Sequence, residues 1–253
     1  MGQLGNTPDV FTPWPNIEGY RGWNYTIGGY GREIIDGLIR ALPAGSVMLE
    51  IGCFLCASSR RWLSLRDDLQ LVGVDPWDDN LIEQCARYVG RPALTRAYPD
   101  PAVQQQFIDD IRRQGPFATA LANMAFAEDR FHALRGYAPS ALHTLADAGF
   151  EPDLIYIDGA KQAIDLDVSH SLWPNAIICG DDWHWSRTKD YPIRQIVRDF
   201  ARKHGFYIIA DHATWALSRE PVEGSITPDD VVLVRERYKR KAGEAMRNNQ
   251  STP

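Results

Sequence analysis

Short apolar segments that end in glycine or aspartate alternate with segments of helical periodicity along most of the chain. Five apolar segments end in this way: SVMLEIG (46–52), LQLVGVD (69–75), FHALRG (131–136), DLIYIDG (153–159) and NAIICGDD (175–182). The helical segments between them predict parallel strands joined by right-handed crossovers, with helices on both faces of the sheet. Two further segments, FYIIAD (206–211) and VVLVRE (231–236), are not separated by a clear helix, so we expect one of them to be antiparallel. The predicted class is therefore α/β, with a seven-stranded and mostly parallel sheet.

The strands are distributed over one continuous domain rather than two. A length of 253 residues allows either arrangement, but no linker interrupts the strand pattern. We expect the domain to cover residues 27–240, with an irregular, proline-rich segment at 1–26 and a flexible tail at 241–253. Residues 76–129 form a long insertion between the second and third strands, and we expect them to provide a lid or a wall of the acceptor pocket.

Charge and composition exclude several classes of partner. The formal net charge is −6, whereas proteins that bind nucleic acid through its backbone are usually basic, so we expect no nucleic-acid partner. No apolar run approaches the length of a membrane span and no secretory signal is evident, so the prediction is a cytoplasmic protein with no membrane contact. Four cysteines are too few for a disulfide scaffold, and Cys53-x-x-Cys56 lacks the second pair that a zinc site would need.

The carboxyl ends of the strands are where an open α/β sheet binds its ligands. Asp75 ends the second strand, 23 residues after Gly52, which is where a carboxylate that binds a nucleotide ribose is expected. A dinucleotide fingerprint would need glycine at Phe54 and Ala57, so NAD and FAD are disfavoured. Glu50, two residues before Gly52, could instead pair with the amine of a cofactor that contains an amino acid.

These motifs together resemble those of class I methyltransferases that use S-adenosyl-L-methionine (SAM). Within that class, the chain is similar to the families of catechol O-methyltransferase and of macrolide-sugar O-methyltransferases, over about residues 27–236. The resemblance implies a Rossmann-like fold and methyl transfer to a hydroxyl of a small molecule, such as a sugar, a natural product or a catechol-like compound. It also implies that the protein forms homo-oligomers, without fixing their size. The motifs that carry it are Glu50-x-Gly52, Asp75, Ile157-Asp158-Gly159-Ala160 and Gly180-Asp181-Asp182.

The resemblance implies a set of SAM-binding residues. Backbone groups near Gly52 and the Ser58 hydroxyl would hold the methionine carboxylate, Asp75 would hold the ribose, and Gly136 with Tyr137 would border the adenine. Cys56 replaces a family glycine, so either the turn is wider or Cys56 adopts a conformation typical of glycine. The full expected set is Glu50, Gly52, Cys53, Ser58, Asp75, Gly136, Tyr137 and Asp158.

A divalent metal and a base are the other implied components. Asp158, Asp181 and Asp182 correspond to positions where related enzymes hold a metal, and we expect Mg²⁺, whose charge would offset the repulsion between the carboxylates. In the alternative, Asp182 caps a turn and only Asp158 faces the pocket. Lys161 corresponds to the catalytic lysine of catechol O-methyltransferase, and its alternative role is an ion pair with Asp165.

Other functions remain open at this point. His184, in the sequence Trp183-His184-Trp185, could act as the base of a metal-independent methyltransferase, or it could be a solvated loop residue. The sugar-methylating relatives usually carry tyrosine where this chain has Ala163. Together with Cys56, this departure would also permit a protein that binds SAM without turnover.

Overall fold

One mixed sheet forms the centre of the molecule. The computed structural model describes residues 2–5, 9–23, 32–160 and 162–233. The strands within these residues are β1 (Val47–Ile51), β2 (Gln70–Asp75), β3 (Phe131–Arg135), β4 (Leu154–Ile157), β5 (Ile177–Gly180), β6 (Tyr207–Asp211) and β7 (Thr214–Ser218). Their order across the sheet is β3-β2-β1-β4-β5-β7-β6. The order of the strands reverses between β1 and β4, since β2 and β3 lie on one side of β1 and β4 and β5 on the other, and this point is the crevice where such sheets bind ligands.

The first five strands are parallel and β7 is antiparallel to both of its neighbours. β1 pairs with β2 and with β4, so that Glu50 lies opposite Gly73 on one side and Tyr156 on the other. β2 also pairs with β3, and β4 with β5, in the same direction. β7 runs antiparallel to β5 and β6. The predicted Rossmann-like α/β fold, with seven strands and one antiparallel strand near the carboxyl terminus, is confirmed.

The identity of the antiparallel strand was predicted wrongly. Residues 231–233 form no strand, and residues 234–236 lie outside the described part of the chain. The antiparallel strand is β7, which follows β6 after a tight turn at His212, where φ is +46°. Val231 and Leu233 are nonetheless buried, against the helices on one face of the sheet. The apolar pattern of this segment therefore predicted its burial correctly, but its pairing with the sheet wrongly.

Helices cover both faces of the sheet. They are α1 (Glu33–Ala41), α2 (Ala57–Leu65), α3 (Asp79–Ala86), α4 (Pro92–Ala97), α5 (Pro101–Gln114), α6 (Pro116–Met124), α7 (Ser140–Asp147), α8 (Ala163–Leu172) and α9 (Pro192–His204). α1 to α6 pack on one face, around Trp62 and Phe107, and α7 to α9 pack on the other, around Leu142 and Val197. Among the residues that the structure describes, no helix has both the length and the apolar character needed to cross a bilayer.

The 76–129 insertion contributes α3 to α6 to the first of these faces. Trp77, Phe107 and Phe117 are buried in its core, whereas Phe126 is exposed. These helices therefore form an integral layer of the domain. Their expected role as a lid or acceptor wall stays a prediction.

Candidate cofactor and acceptor site

The turn after β1 brings the ends of β1 and β4 into close contact. Gly52 has φ of +88°, and a Cβ atom there would lie 2.6 Å from the carbonyl oxygen of Asp158, so glycine is required. The N–H of Gly52 donates to the carbonyl oxygen of Val74, at 2.9 Å, and ties the turn to β2. Cys56 has φ of +58° and directly precedes α2, so the second of the two alternatives for this residue is the one observed.

Glu50 is fully buried beneath this turn and joins β1 to the start of α2. The hydroxyls of Ser58 and Ser59 donate to its two carboxylate oxygens, the second at 2.5 Å. Burial raises the pKa of Glu50 to about 7, although the two hydroxyls and the nearby Arg32 act in the opposite direction. Both side chains that were expected to bind the methionine part of SAM, Glu50 and Ser58, thus contact each other. This contact would have to open before a cofactor amine or carboxylate could bind either one.

Cys53 lies inside the same turn and is buried. Its thiol donates to the carbonyl oxygen of Glu50, at 3.6 Å. Burial raises the pKa of the thiol well above its usual range, which keeps it protonated. Only its backbone is therefore suited to a contact with SAM.

Asp75 connects the ends of three neighbouring strands. Its Oδ2 accepts the N–H of Phe54, at 2.9 Å, and its Oδ1 accepts the N–H of Trp77, also at 2.9 Å. The carbonyl oxygen of Asp75 accepts the N–H of Gly136, at 3.1 Å. Burial raises the pKa of Asp75 despite the backbone donors. Because each carboxylate oxygen has a second lone pair, the side chain can still accept hydrogen bonds from a ribose.

Tyr137 presents an exposed ring at the end of β3. The ring is 60% exposed, and its hydroxyl donates to the carboxylate of Asp78, the residue that caps α3. Trp77 lies buried beside the same edge, and its indole N–H donates to the carbonyl oxygen of Phe54, at 2.6 Å. We call the group formed by Gly52, Phe54, Asp75, Gly136 and Tyr137 the cofactor side.

A buried ion pair dominates the ends of β4 and β5. The guanidinium of Arg32, just before α1, donates to Oδ2 of Asp181 at 2.8 Å, and the two side chains are only 8% and 11% exposed. Burial disfavours the charged form of Arg32, but Tyr156 and the carboxylates of Asp181 and Asp158 outweigh it and raise its pKa. The group of Arg32, Tyr156, Asp158, Asp181 and Asp182 is called the acceptor side below.

Three polar atoms of this group are buried without a hydrogen bond that meets normal geometry. They are the Nε atom of Arg32, the hydroxyl oxygen of Tyr156 and Oδ1 of Asp181. Tyr156 is fully buried, its ring packs edge-on against Trp62 at 5.3 Å, and burial raises the pKa of its hydroxyl well above the usual range. The acceptor side therefore pairs Asp181 with a buried cation while several hydrogen-bonding positions stay unused.

The three aspartates expected to bind metal do line one small cavity. The cavity measures about 20 Å³, roughly the space of one water molecule, and its walls include Asp158, Asp181, Asp182 and Trp215. The chain turns sharply after β5, where Asp182 has φ of +65°. However, within the described ranges no group of three or more His, Cys, Asp or Glu residues is placed so that it could hold a metal ion.

The magnesium expectation did not anticipate Arg32. This residue is 149 positions from Asp181, and its guanidinium binds one of the two carboxylate oxygens of Asp181. No motif spacing signals such a partner, because a single arginine before an amphipathic helix is common. Only the fold brings the two together.

Neither candidate base can be assigned from the structure. Lys161 lies outside the described residues, so its expected role and its alternative pairing with Asp165 both stay predictions. His184 accepts a hydrogen bond from Arg194 at Nδ1, which places the ring proton on Nε2. Burial, together with the charge of Arg194, lowers the pKa of His184 and keeps the ring neutral. His184 could accept a proton only after its contact with Arg194 breaks.

Comparisons with known proteins return structural similarity alone. No protein-family model and no curated protein matches the sequence. A candidate caffeoyl-CoA O-methyltransferase from Staphylococcus aureus is similar in structure, with 14% identity over 74% of this chain and 81% of the other, at a TM-score of 0.49. The O-methyltransferase TomG of Streptomyces achromogenes, involved in tomaymycin synthesis and solved with SAM, has 18% identity over 74% and 79% of the two chains, at 0.46.

A third similar structure is the carboxyl-terminal domain of precorrin-6Y C5,15-methyltransferase from Rhodobacter capsulatus. It has 14% identity over 81% of this chain and 94% of the other, with a TM-score of 0.44.

Proposed function

We propose that this protein is a SAM-dependent methyltransferase that transfers a methyl group to a hydroxyl of a small molecule. One observation carries the proposal: the Asp75 carboxylate is fixed by backbone N–H groups of the loops after β1 and β2, beside the Gly52 turn. A nucleoside cofactor needs such a carboxylate at the crevice of the sheet. The sequence disfavours a dinucleotide there, because Phe54 and Ala57 take the place of the glycines that a pyrophosphate requires.

The residues of the cofactor side fit SAM. Asp75 would accept the ribose hydroxyls, Tyr137 would pack against the adenine, and the backbone of Gly52 and Cys53 would lie along the methionine part. Asp158, at the end of β4, would lie between the cofactor and the acceptor. When bound, SAM supplies an electrophilic methyl group on a sulfonium. The protein's own task is to align the acceptor hydroxyl with that methyl group, and such positioning can lower a barrier by roughly 7–11 kcal/mol.

The acceptor hydroxyl must also lose a proton. Lys161, three residues after Asp158, is the proposed base, and a lysine can serve near neutral pH only if its surroundings lower its pKa from about 10.4. His184 is the alternative base, for which the contact with Arg194 would first have to open. The residues of the acceptor side do not fit Mg²⁺, because Arg32 pairs with Asp181, and no step is assigned to a metal.

Calorimetric titration with SAM, S-adenosylhomocysteine and NAD tests the cofactor assignment. We expect SAM and its product to bind and NAD not to bind. Asp75→Ala should weaken SAM binding by roughly 10- to 100-fold, since hydrogen bonds to a charged group contribute about 1.5–3 kcal/mol. Asp211→Ala is the matched control, because Asp211 also ends a strand but lies on β6, at the far edge of the sheet.

The outcomes are separable. NAD binding without SAM binding would refute the proposal, as would equal effects of the two aspartate variants. SAM binding with no methyl transfer to any member of a panel of phenols, catechols, sugars and hydroxylated natural products would favour a SAM-binding protein without turnover. Product formation would be followed by mass spectrometry, which also reports whether oxygen is the atom methylated.

A further inference from the structure

We propose that Arg32 is the built-in cation of the acceptor side and takes the place of a divalent metal ion. Its guanidinium pairs with Asp181, so the site contains a positive charge that belongs to the chain itself. The proposal rests on the proposed function only where it concerns methyl transfer. Its claim about metal binding stands on the acceptor side alone.

The geometry of the ion pair leaves no room for a metal on the same oxygen. Mg²⁺ binds oxygen ligands at about 2.0–2.1 Å and demands near-octahedral coordination. The bonded nitrogen of Arg32 is 2.8 Å from Oδ2 of Asp181, so a metal on that atom would lie within about 5 Å of the guanidinium. Two cations at that distance in a buried site repel each other strongly.

Charge arguments also favour the guanidinium. Arg32 pairs directly with Asp181, and the charges of Asp181 and Asp158 both raise its pKa and so favour the guanidinium in this position. One oxygen, Oδ1 of Asp181, is buried without a hydrogen bond and is the position on Asp181 that remains for a metal. The cavity that Asp181 lines measures about 20 Å³, roughly the space of one water molecule.

Arg32 is delivered to this position by α1. Its carbonyl oxygen accepts the N–H of Asp36, at 2.9 Å, and so begins the helix. Asp36 in turn pairs with Arg61 of α2, at 2.6 Å, which holds α1 against α2. The cation is therefore fixed by the packing of two helices and does not depend on a diffusible ion. A metal ion could bind both oxygens of a catechol or vicinal diol. Without a metal ion, such an acceptor has no advantage of this kind over an acceptor with a single hydroxyl.

Binding of Mn²⁺, followed by electron paramagnetic resonance, tests the proposal without SAM or an acceptor. We expect the chelator-treated wild type to bind no Mn²⁺ at this site and its melting temperature to be unchanged by the ion. Arg32→Gln removes the cation and keeps the polarity, so it should gain Mn²⁺ binding that the added substitution Asp181→Asn abolishes. Arg202→Gln is the control, because it removes an exposed arginine–aspartate pair, between α9 and Asp229, and should gain no Mn²⁺ binding.

Two results would overturn the proposal. In the first, the wild type binds Mn²⁺ and the substitution Asp181→Asn abolishes this binding. This result would overturn the proposal even if Arg32→Gln fails to fold. In the second, a folded Arg32→Gln protein gains no Mn²⁺ binding. SAM calorimetry is run separately, with and without chelator: absence of SAM binding under both conditions would refute the proposed function while leaving the Mn²⁺ result intact.

Discussion

The cofactor side and the acceptor side lie at the same edge of one sheet but are held together by different forces. On the cofactor side, the backbone N–H groups of Phe54 and Trp77 fix a single carboxylate, Asp75. On the acceptor side, the buried guanidinium of Arg32, just before α1, fixes Asp181, which follows β5. Backbone donors are available wherever loops follow neighbouring strands, whereas a buried charge needs one particular partner. The first arrangement tolerates sequence change in its surroundings, and the second depends on a single side chain.

The two sides also differ in how completely their polar atoms are used. Both carboxylate oxygens of Asp75 accept hydrogen bonds, whereas Oδ1 of Asp181 and the hydroxyl of Tyr156 have no such partner. A buried polar group without a hydrogen bond typically costs about 1–3 kcal/mol. The acceptor side thus carries a stability cost that the cofactor side avoids, which is a common property of sites that must contact a substrate.

Of the substitutions that test this comparison, the removal of Arg32 should have the largest effect on stability. Arg32→Gln leaves the Asp181 carboxylate buried and unpaired, so we expect the free energy of unfolding to fall by about 3–5 kcal/mol. Arg202→Gln breaks a pair with Asp229 in which both side chains are more than half exposed, and should cost about 1 kcal/mol or less. Urea denaturation of the two variants and the wild type measures both effects. Equal losses would mean that the acceptor side does not depend on its buried charge.

The pH dependence of stability probes the carboxylate between the two sides. The pKa of Glu50 in the folded protein is raised from 4.5 to about 7, so the native state binds the proton more tightly than the unfolded state. Its contribution is therefore fully present below about pH 4.5 and is lost as the pH rises through 7. At about 1.4 kcal/mol per pKa unit, the loss approaches roughly 3 kcal/mol.

Glu50→Gln should remove this slope. We expect its free energy of unfolding to change less than that of the wild type between pH 5 and pH 8, as measured by urea denaturation at several pH values. Glu83→Gln, at an exposed position of α3, should keep the slope of the wild type. A wild-type free energy of unfolding that stays constant or rises between pH 5 and pH 8 would contradict a raised pKa of Glu50.

The difference between the two sides explains what could be predicted from the sequence. Gly52, Asp75 and the acidic strand ends were predictable, because turns and strand ends follow local spacing. The parallel pairing of the first five strands followed from the alternation of strands and helices, while β7 was missed because its turn at His212 lacks the glycine that usually marks a hairpin. The pairing of Arg32 with Asp181 could not be predicted, since it joins residues 149 positions apart that no pattern links.

The Glu50–Ser58 contact was also outside the reach of the sequence. The motifs predicted both residues as SAM-binding residues, but they did not indicate that the hydroxyl would donate to the carboxylate. Burial of Glu50 beneath the turn decides this, because a buried carboxyl group takes the nearest available donors. Sequence spacing thus located the residues of the site without giving their partners.

The substitution of Gly52 allows the most precise test, because the chain contains a matched glycine. The expected difference in stability between the two variants is the smallest of these predicted effects. Gly52 and Gly205 both have positive φ, +88° and +75°, but only at Gly52 would a Cβ atom meet backbone, 2.6 Å from the Asp158 carbonyl oxygen. Gly205→Ala should therefore cost only the conformational penalty, about 1–2 kcal/mol. Gly52→Ala should cost about 1–3 kcal/mol more, because the ends of β1 and β4 must move apart. Movement there would also displace Asp158 relative to Asp75, so Gly52→Ala should weaken SAM binding while Gly205→Ala leaves it unchanged. Equal costs and equal SAM affinities would show that the two sides of the edge are not coupled through this turn.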